Sequence, residues 1–259
     1  MRRQMRPIAL ARVFVSGLLI GCGGGPSAGP PDPPGPGDPP DPVCGPAPAA
    51  RSLRAQCGAT LDFTPINAYA GDFPHVQDRE DAVVLISGDC TGTLIDAAAG
   101  PVVLTAGHCV TAVGDEVLLA FNDEADPDGD PLVTNGSVIE RAATPDYALI
   151  APDQLPVVTP SPLTRTPSAA LAIIQHPRGG PKVIATGAYL AACNGIVSYT
   201  DLDTLVGSSG AGVLTTSGGV LGVHTDGSCT AAGGLNYGWS SEAIVAASAY
   251  LAPGDLGDL

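Results

Sequence analysis

From about Thr60 onward the chain alternates short apolar runs with Gly, Pro, Asp and Ser. The first half has runs at 82–86, 91–95, 102–105, 116–121 and 147–150. After a Pro-rich break at 152–162, the second half has runs at 170–175, 183–186, 196–199, 213–216 and 220–224. These runs are too short for packed helices, and turn-forming residues bound them, so they predict β-strands. Many short strands at this spacing predict an all-β body, either barrels or a sandwich, in two comparable halves. Only residues 241–251 carry a helical pattern, with Ser240 or Ser241 as candidate N-cap. No internal repeat is visible as a motif.

The N-terminus follows a different pattern. Arg2, Arg3 and Arg6 precede a short apolar stretch over 13–20, which ends in Leu19-Ile20-Gly21-Cys22. A bilayer core needs about 20 apolar residues, so this stretch predicts an export signal over 1–22 rather than a spanning helix. Its end resembles a bacterial lipoprotein processing site, which implies that Cys22 becomes the lipid-bearing N-terminus. Plain secretion with loss of Cys22 is the alternative. Residues 23–58 are dominated at first by Gly, Pro, Ser and Asp and predict a disordered tether. A Pro-rich recognition ligand is the rival reading of that segment. The folded domain is then expected over 59–259, with one half over 59–150, a second over 163–240 and a C-terminal helix over 241–251.

Composition narrows the function classes. Of 259 residues, 44% are hydrophobic but only 4% aromatic, and 34 Gly and 26 Pro fit a turn-rich β body. Lys and Arg total 11 against 26 Asp and Glu, a formal net charge of −15. That charge argues against binding nucleic acid or anionic lipid, so membrane contact is expected only through lipid on Cys22. There are seven cysteines. Reserving Cys22 for lipid leaves Cys44, Cys57, Cys90, Cys109, Cys193 and Cys229, an even set suited to disulfides in an oxidising compartment. No Cys or His cluster has metal-ligand spacing, and neither a metal nor a cofactor is expected.

Three motifs carry candidate chemistry. Thr105-Ala106-Gly107-His108-Cys109 comes first, Asp146-Tyr147-Ala148-Leu149-Ile150 second, and Gly207-Ser208-Ser209-Gly210-Ala211-Gly212 third. A serine hydroxyl is a weak nucleophile until an imidazole accepts its proton, and that imidazole needs a carboxylate on its other nitrogen. The three motifs, in this order, resemble those of the chymotrypsin-like serine proteases. The resemblance implies His108 as general base, Asp146 as its orienting acid and Ser209 as nucleophile. It implies the backbone amides of Gly207 and Ser209 as oxyanion donors. It also implies two packed antiparallel six-stranded β-barrels with the site between them, a Cys90–Cys109 disulfide, and serine endopeptidase activity on protein or peptide substrates.

Ser208 stands where trypsins have an aspartate that receives a new N-terminal ammonium. Asp203-Thr204, Gly222-Val223-His224-Thr225-Asp226-Gly227 and Ile173-Ile174-Gln175-His176-Pro177 are instead similar to segments of bacterial glutamyl and lysyl endopeptidases. That likeness covers roughly residues 80–240. It implies that Thr204 and His224 bind an acidic side chain before the scissile bond, since a hydroxyl and an imidazole both donate to a carboxylate and a protonated imidazole adds charge. Asp203 lies near the position of the trypsin specificity aspartate and keeps a Lys/Arg preference open.

Several expectations are weaker. Cys193–Cys229 and Cys44–Cys57 would complete the disulfides, with a long link from the N-terminal region to Cys229 as the alternative. The acidic run Glu124 to Asp130 reads as a solvated turn or as a calcium loop. His75 and His176 read as structural or surface residues. The protein is expected to be an exported monomer, lipid-anchored in a bacterial envelope or secreted. An inactive protease-fold binding module and an esterase are the functional rivals.

Overall fold

The computed structural model describes residues 54–129 and 131–258. The expected signal over 1–22, Cys22, Cys44 and the tether up to residue 53 lie outside the described residues.

The first half closes into a six-stranded antiparallel barrel. Its strands are β1 (Val83–Ile86), β2 (Cys90–Ile95), β3 (Val102–Thr105), β4 (Glu116–Phe121), β5 (Leu132–Ala143) and β6 (Asp146–Pro152). They pair in the order β1-β2-β3-β6-β5-β4 and back to β1. The second half holds β7 (Ala170–Gln175), β8 (Val183–Cys193), β9 (Ile196–Thr200), β10 (Gly212–Thr215), β11 (Val220–Gly227) and β12 (Asn236–Ser240). Their order is β7-β8-β9-β12-β11-β10, and β10 closes on β7. The two barrels therefore share one topology, which no sequence motif repeats.

Each barrel contains one strand without an apolar run. β5 alternates buried and outward positions, with polar Asn135, Ser137, Glu140 and Arg141 among its residues. In β12 the buried positions are Asn236, Gly238 and Ser240. Hydrogen-bonding side chains and a glycine fill that face, so hydrophobicity gives no signal. β8 also runs further than its apolar start, to Cys193, through a bulge between Tyr189 and Ala191.

Apolar side chains form a core within each barrel and a third between them. Ile86, Leu94, Leu119 and Ile150 fill the first barrel, and Leu171, Ile173, Val197 and Val213 the second. Leu104 and Leu149 of the first meet Ile174, Leu214 and Val223 of the second in the shared cluster. A fully buried large aliphatic side chain contributes about 1.5–3 kcal/mol, so this shared cluster holds the halves together. A buried network of one lysine and two glutamates spans the same junction. Lys182, just before β8, places Nζ 2.6 Å from Glu80 and 2.5 Å from Glu124, both from the first half. The acidic run is thus partly spent on the interior: Glu124 also receives Asn67 at 2.8 Å. Glu80, Asp81 and Asp128 bring carboxylate oxygens within 4.8 Å of one another.

The helix is shorter than its pattern, Ser241–Ala247, and Ser240 caps it by accepting the Ala243 N–H at 3.1 Å. It stops because Glu140 of β5 draws the chain away. That carboxylate accepts the Ser248 hydroxyl at 2.7 Å and the N–H groups of Ala249 at 2.8 Å and Tyr250 at 3.1 Å.

The folded body begins before residue 59. Arg54–Ala55 form a short strand on Thr204–Leu205. Two expected disulfides are corrected. Cys229 bonds to Cys57, not Cys193, and Cys57 is therefore unavailable to Cys44. The N-terminal segment carries Cys57 to Cys229 with a Cα separation of 4.7 Å. Cys193 is also disulfide-bonded, to none of the other described cysteines. Cys90 and Cys109 are joined, Cα atoms 6.0 Å apart. Among the described residues no helix is long and apolar enough to cross a membrane.

Candidate active site

His108 lies in a single 3-10 turn, Gly107–Cys109, between β3 and β4. Gly107 is required there by space: a Cβ would lie 2.2 Å from the Ala142 carbonyl oxygen and 2.8 Å from that of Tyr147. Arg141 braces the turn by donating Nε–H to the carbonyls of Gly107 at 2.7 Å and Val110 at 3.1 Å. The Cys90–Cys109 disulfide ties the turn back to β2.

Asp146 opens β6 and is buried. Its Oδ1 accepts the backbone N–H of His108 at 3.0 Å, and its Oδ2 lies 2.7 Å from Nδ1 of the same imidazole. A carboxylate only accepts, so this contact places the proton on Nδ1 and leaves the Nε2 lone pair available. The imidazole itself is partly exposed.

Ser209 sits in the loop between β9 and β10 of the second barrel, against the first. The Thr91 N–H of β2 donates to Ser209 O at 2.9 Å. Around it, the N–H groups of Ser208, Gly210 and Ala211 donate to Leu205 O, His224 O and Ser208 O. Those of Gly207 and Ser209 donate to no acceptor among the described residues. Gly207 has φ +95°, and a Cβ there would lie 2.5 Å from Arg178 N. No hydrogen bond joins Ser209 Oγ to the imidazole among the described residues. Such contacts are often loose in substrate-free enzymes and tighten with substrate.

Thr204 and His224 are both buried in the second barrel. Thr204 Oγ1 accepts from Asn236 Nδ2 at 3.3 Å. His224 Nδ1 lies 2.6 Å from the Tyr199 hydroxyl. Burial, with the neighbouring His108 adding to it, pushes the His224 imidazole down to about 3. It is therefore neutral at physiological pH and does not supply the positive charge that the sequence suggested. Burial and the nearby Asp226 hold the Tyr199 phenol well above its ordinary value, so it stays a donor. The Asp203 oxygens accept the backbone N–H groups of Cys57 and Asp62, each at 2.6 Å.

His176 is buried, with Nδ1 3.0 Å from Gly180 O, and burial lowers its value to about 4. His75 is exposed. Sequence reasoning overlooked Thr91, Tyr199 and Asn236. Asn236 donates to Ala55 O at 2.9 Å and Leu202 O at 2.8 Å, joining the N-terminal segment to the loop before Thr204. A buried amide at a strand start carries no motif that would have singled it out.

The family model described as the trypsin-like peptidase domain matches residues 90–223, just over half of the chain. No curated protein matches. Solved structures share the architecture at low identity. A serine endoprotease from Yersinia pestis is 16% identical, with a TM-score of 0.52 over 64% of this chain and 61% of its own. This chain thus spans under two thirds of that relative. Rv3671c from M. tuberculosis, in an inactive form, is 20% identical, with a TM-score of 0.52 over 68% of this chain and 88% of its own.

Proposed function

For this chain, which belongs to the trypsin-like peptidase domain family, we propose hydrolysis of peptide bonds in proteins or peptides by Ser209, His108 and Asp146. One observation carries the reading: Asp146 grips both the backbone and the Nδ1 edge of His108, at the junction where the Ser209 loop meets the first barrel. Ser209 Oγ attacks the substrate carbonyl carbon while its proton passes to His108 Nε2. The carbonyl oxygen gains the charge and is received by the N–H groups of Gly207 and Ser209. His108 then protonates the leaving amine, and water hydrolyses the acyl-enzyme by the same steps in reverse.

Active-site labelling tests this. A fluorophosphonate probe is expected to label the full chain, and labelling is expected to vanish in Ser209→Ala. Correctly folded wild-type protein that takes no label and cleaves no peptide would favour a binding module instead.

Cleavage after Glu is the preferred specificity. The Tyr199 hydroxyl holds His224 in place through Nδ1 at 2.6 Å, and an imidazole N–H and the Thr204 hydroxyl are both groups that can donate to a carboxylate. Asp203, the anchor of the Lys/Arg alternative, is already occupied by two backbone donors. Profiling with a peptide library checks the assignment: efficient cutting after Lys or Arg, with none after Glu, sinks it.

The exported location rests on the Cys57–Cys229 and Cys90–Cys109 disulfides, which suit an oxidising compartment. A signal over 1–22, a lipid on Cys22 and a tether reaching to about residue 53 would hold the domain off a bacterial membrane. Fatty-acid labelling that persists in Cys22→Ala would remove the anchor.

A further inference from the structure

Four consecutive carbonyls shape the loop that presents Ser209, and each has a fixed donor. Val206 O receives the Arg178 N–H at 2.5 Å, and Gly207 O receives the Thr91 hydroxyl at 2.8 Å. Ser208 O receives the Ala211 N–H at 3.1 Å, and Ser209 O the Thr91 N–H at 2.9 Å. A trans peptide points its C=O and N–H in opposite directions. Holding the carbonyls of Val206 and Ser208 therefore also aims the N–H groups of Gly207 and Ser209, the two left without a protein acceptor among the described residues.

Gly207 is the soft point of this loop. Without a Cβ, its two flanking peptides turn easily against one another, and the close approach of Arg178 and His176 forbids any larger residue. Of the four donors, only the Thr91 hydroxyl comes from a side chain. It donates its single proton to Gly207 O and accepts the His176 N–H at 3.0 Å. His176 begins the turn that supplies Arg178, so the hydroxyl couples the loop to its own brace. The Thr91 carbonyl meanwhile receives the Thr105 hydroxyl at 2.7 Å, at the head of the His108 segment. Thr91 is fully buried on β2 of the first barrel. Ser208, by contrast, accepts the Leu205 N–H at 3.0 Å and brings no charge to the loop.

We propose that Thr91 is a positioning residue for the oxyanion donors: its hydroxyl reaches from the first barrel to fix the Gly207 peptide and the 176–180 turn together. This rests on the reading of Ser209 as the nucleophile. A valine at 91 has the same shape but leaves Gly207 O and the His176 N–H unpaired in the interior. The 207–208 peptide then loses its anchor, and the 176–180 turn, whose Arg178 N–H holds Val206 O and so aims the Gly207 N–H, loses its tie to the first barrel. The loosened donors matter most when the carbonyl oxygen becomes charged and least when substrate merely binds.

The test compares Thr91→Val and Thr91→Ser with wild type in the full chain. Thr91→Val is expected to lower kcat by about tenfold to a hundredfold, the scale of a misplaced catalytic group, with KM within about twofold. Affinity for a peptide boronic acid, which forms the tetrahedral oxyanion mimic, falls by the same factor as kcat/KM. Thr91→Ser restores most of the lost kcat. Amide exchange over 206–210 quickens in Thr91→Val and not in Thr91→Ser. A folded Thr91→Val with wild-type kcat, or a serine variant as impaired as the valine one, overturns the proposal. Should Thr91→Val not fold, exchange in the wild type still decides: Ser208 and Gly210 amides exchanging at the rate of an unstructured peptide overturn it. Wild-type protein that hydrolyses nothing defeats the hydrolase reading itself; the exchange comparison then stands alone, and equal rates in Thr91→Val and wild type refute the placement of Thr91.

Discussion

The carboxylate of Asp203 and the backbone N–H of Cys57 meet at 2.6 Å, and the second carboxylate oxygen takes the N–H of Asp62 at the same distance. Asp203 is buried. A Lys or Arg side chain seeking this carboxylate would have to displace two backbone donors that have no other acceptor among the described residues. The N-terminal segment supplies both donors to Asp203, and the Cys57–Cys229 disulfide fastens that segment to the second barrel.

Asp203→Asn is accordingly expected to act on stability rather than preference. An amide offers one acceptor oxygen where the carboxylate offers two, so one buried N–H faces an NH₂ group. The cost is about 1–3 kcal/mol, read as a lower melting temperature. Cleavage preference in a peptide library should be unchanged; a variant of wild-type stability with altered preference for Lys or Arg would contradict this.

Preference for Glu should not depend on protonation of His224. Its folded value of about 3 lies below the ordinary 6.5, so the free enzyme holds it neutral across the physiological range. The ratio of kcat/KM for a Glu substrate to that for the matching Ala substrate is expected to be flat from about pH 5.5 to pH 8, since any pH dependence shared by the two substrates cancels in the ratio. A fall through pH 6 to 7 would mean that a charged imidazole does the selecting. Tyr199→Phe removes the hydroxyl that holds Nδ1 and should lower the ratio about threefold to tenfold, the scale of one lost neutral hydrogen bond.

The Glu80–Lys182–Glu124 network predicts an alkaline weakness. Burial, with a hydrogen bond to Glu124 adding to it against the pull of Lys182, raises Glu80 from 4.5 to about 8. Between those values the folded chain holds a proton that the unfolded chain has lost. This contribution is therefore fully present below about pH 4.5 and is lost as pH rises to about 8. For Glu124, burial raises the value, but bonds from Glu80, Lys182 and Asn67 outweigh it and the net shift is downward. Glu80→Gln should flatten the decline in melting temperature between pH 6 and pH 8. Lys182→Met should cost about 3–5 kcal/mol, because it strands a buried carboxylate between the barrels. A pH profile identical in Glu80→Gln and wild type would defeat the assignment.

The strands legible in the sequence were those whose buried faces are aliphatic, such as Val102–Thr105 and Ala170–Gln175. β5 and β12 were not, because glutamate, arginine, asparagine and glycine occupy positions that an apolar-run search skips. The His108, Asp146 and Ser209 motifs could be read because each needs fixed local residue types: a glycine beside the histidine, an apolar strand behind the aspartate, glycines around the serine. The partners of Cys57 and Asp203 could not, since each contact spans more than 140 residues.

By itself the sequence determined the local pieces: the strand-and-turn rhythm, the candidate triad in order, and an even set of cysteines. These depend on side-chain type and near-neighbour spacing, which the chain states directly. The tertiary structure decided which pieces meet. It closed two barrels of the same strand order, paired Cys57 with Cys229, gave Asp203 to backbone donors and brought the Thr91 hydroxyl to Gly207. Such contacts join residues far apart in the chain and are selected by packing and by the need to satisfy every buried polar group at once, a condition that exists only when the whole fold is assembled.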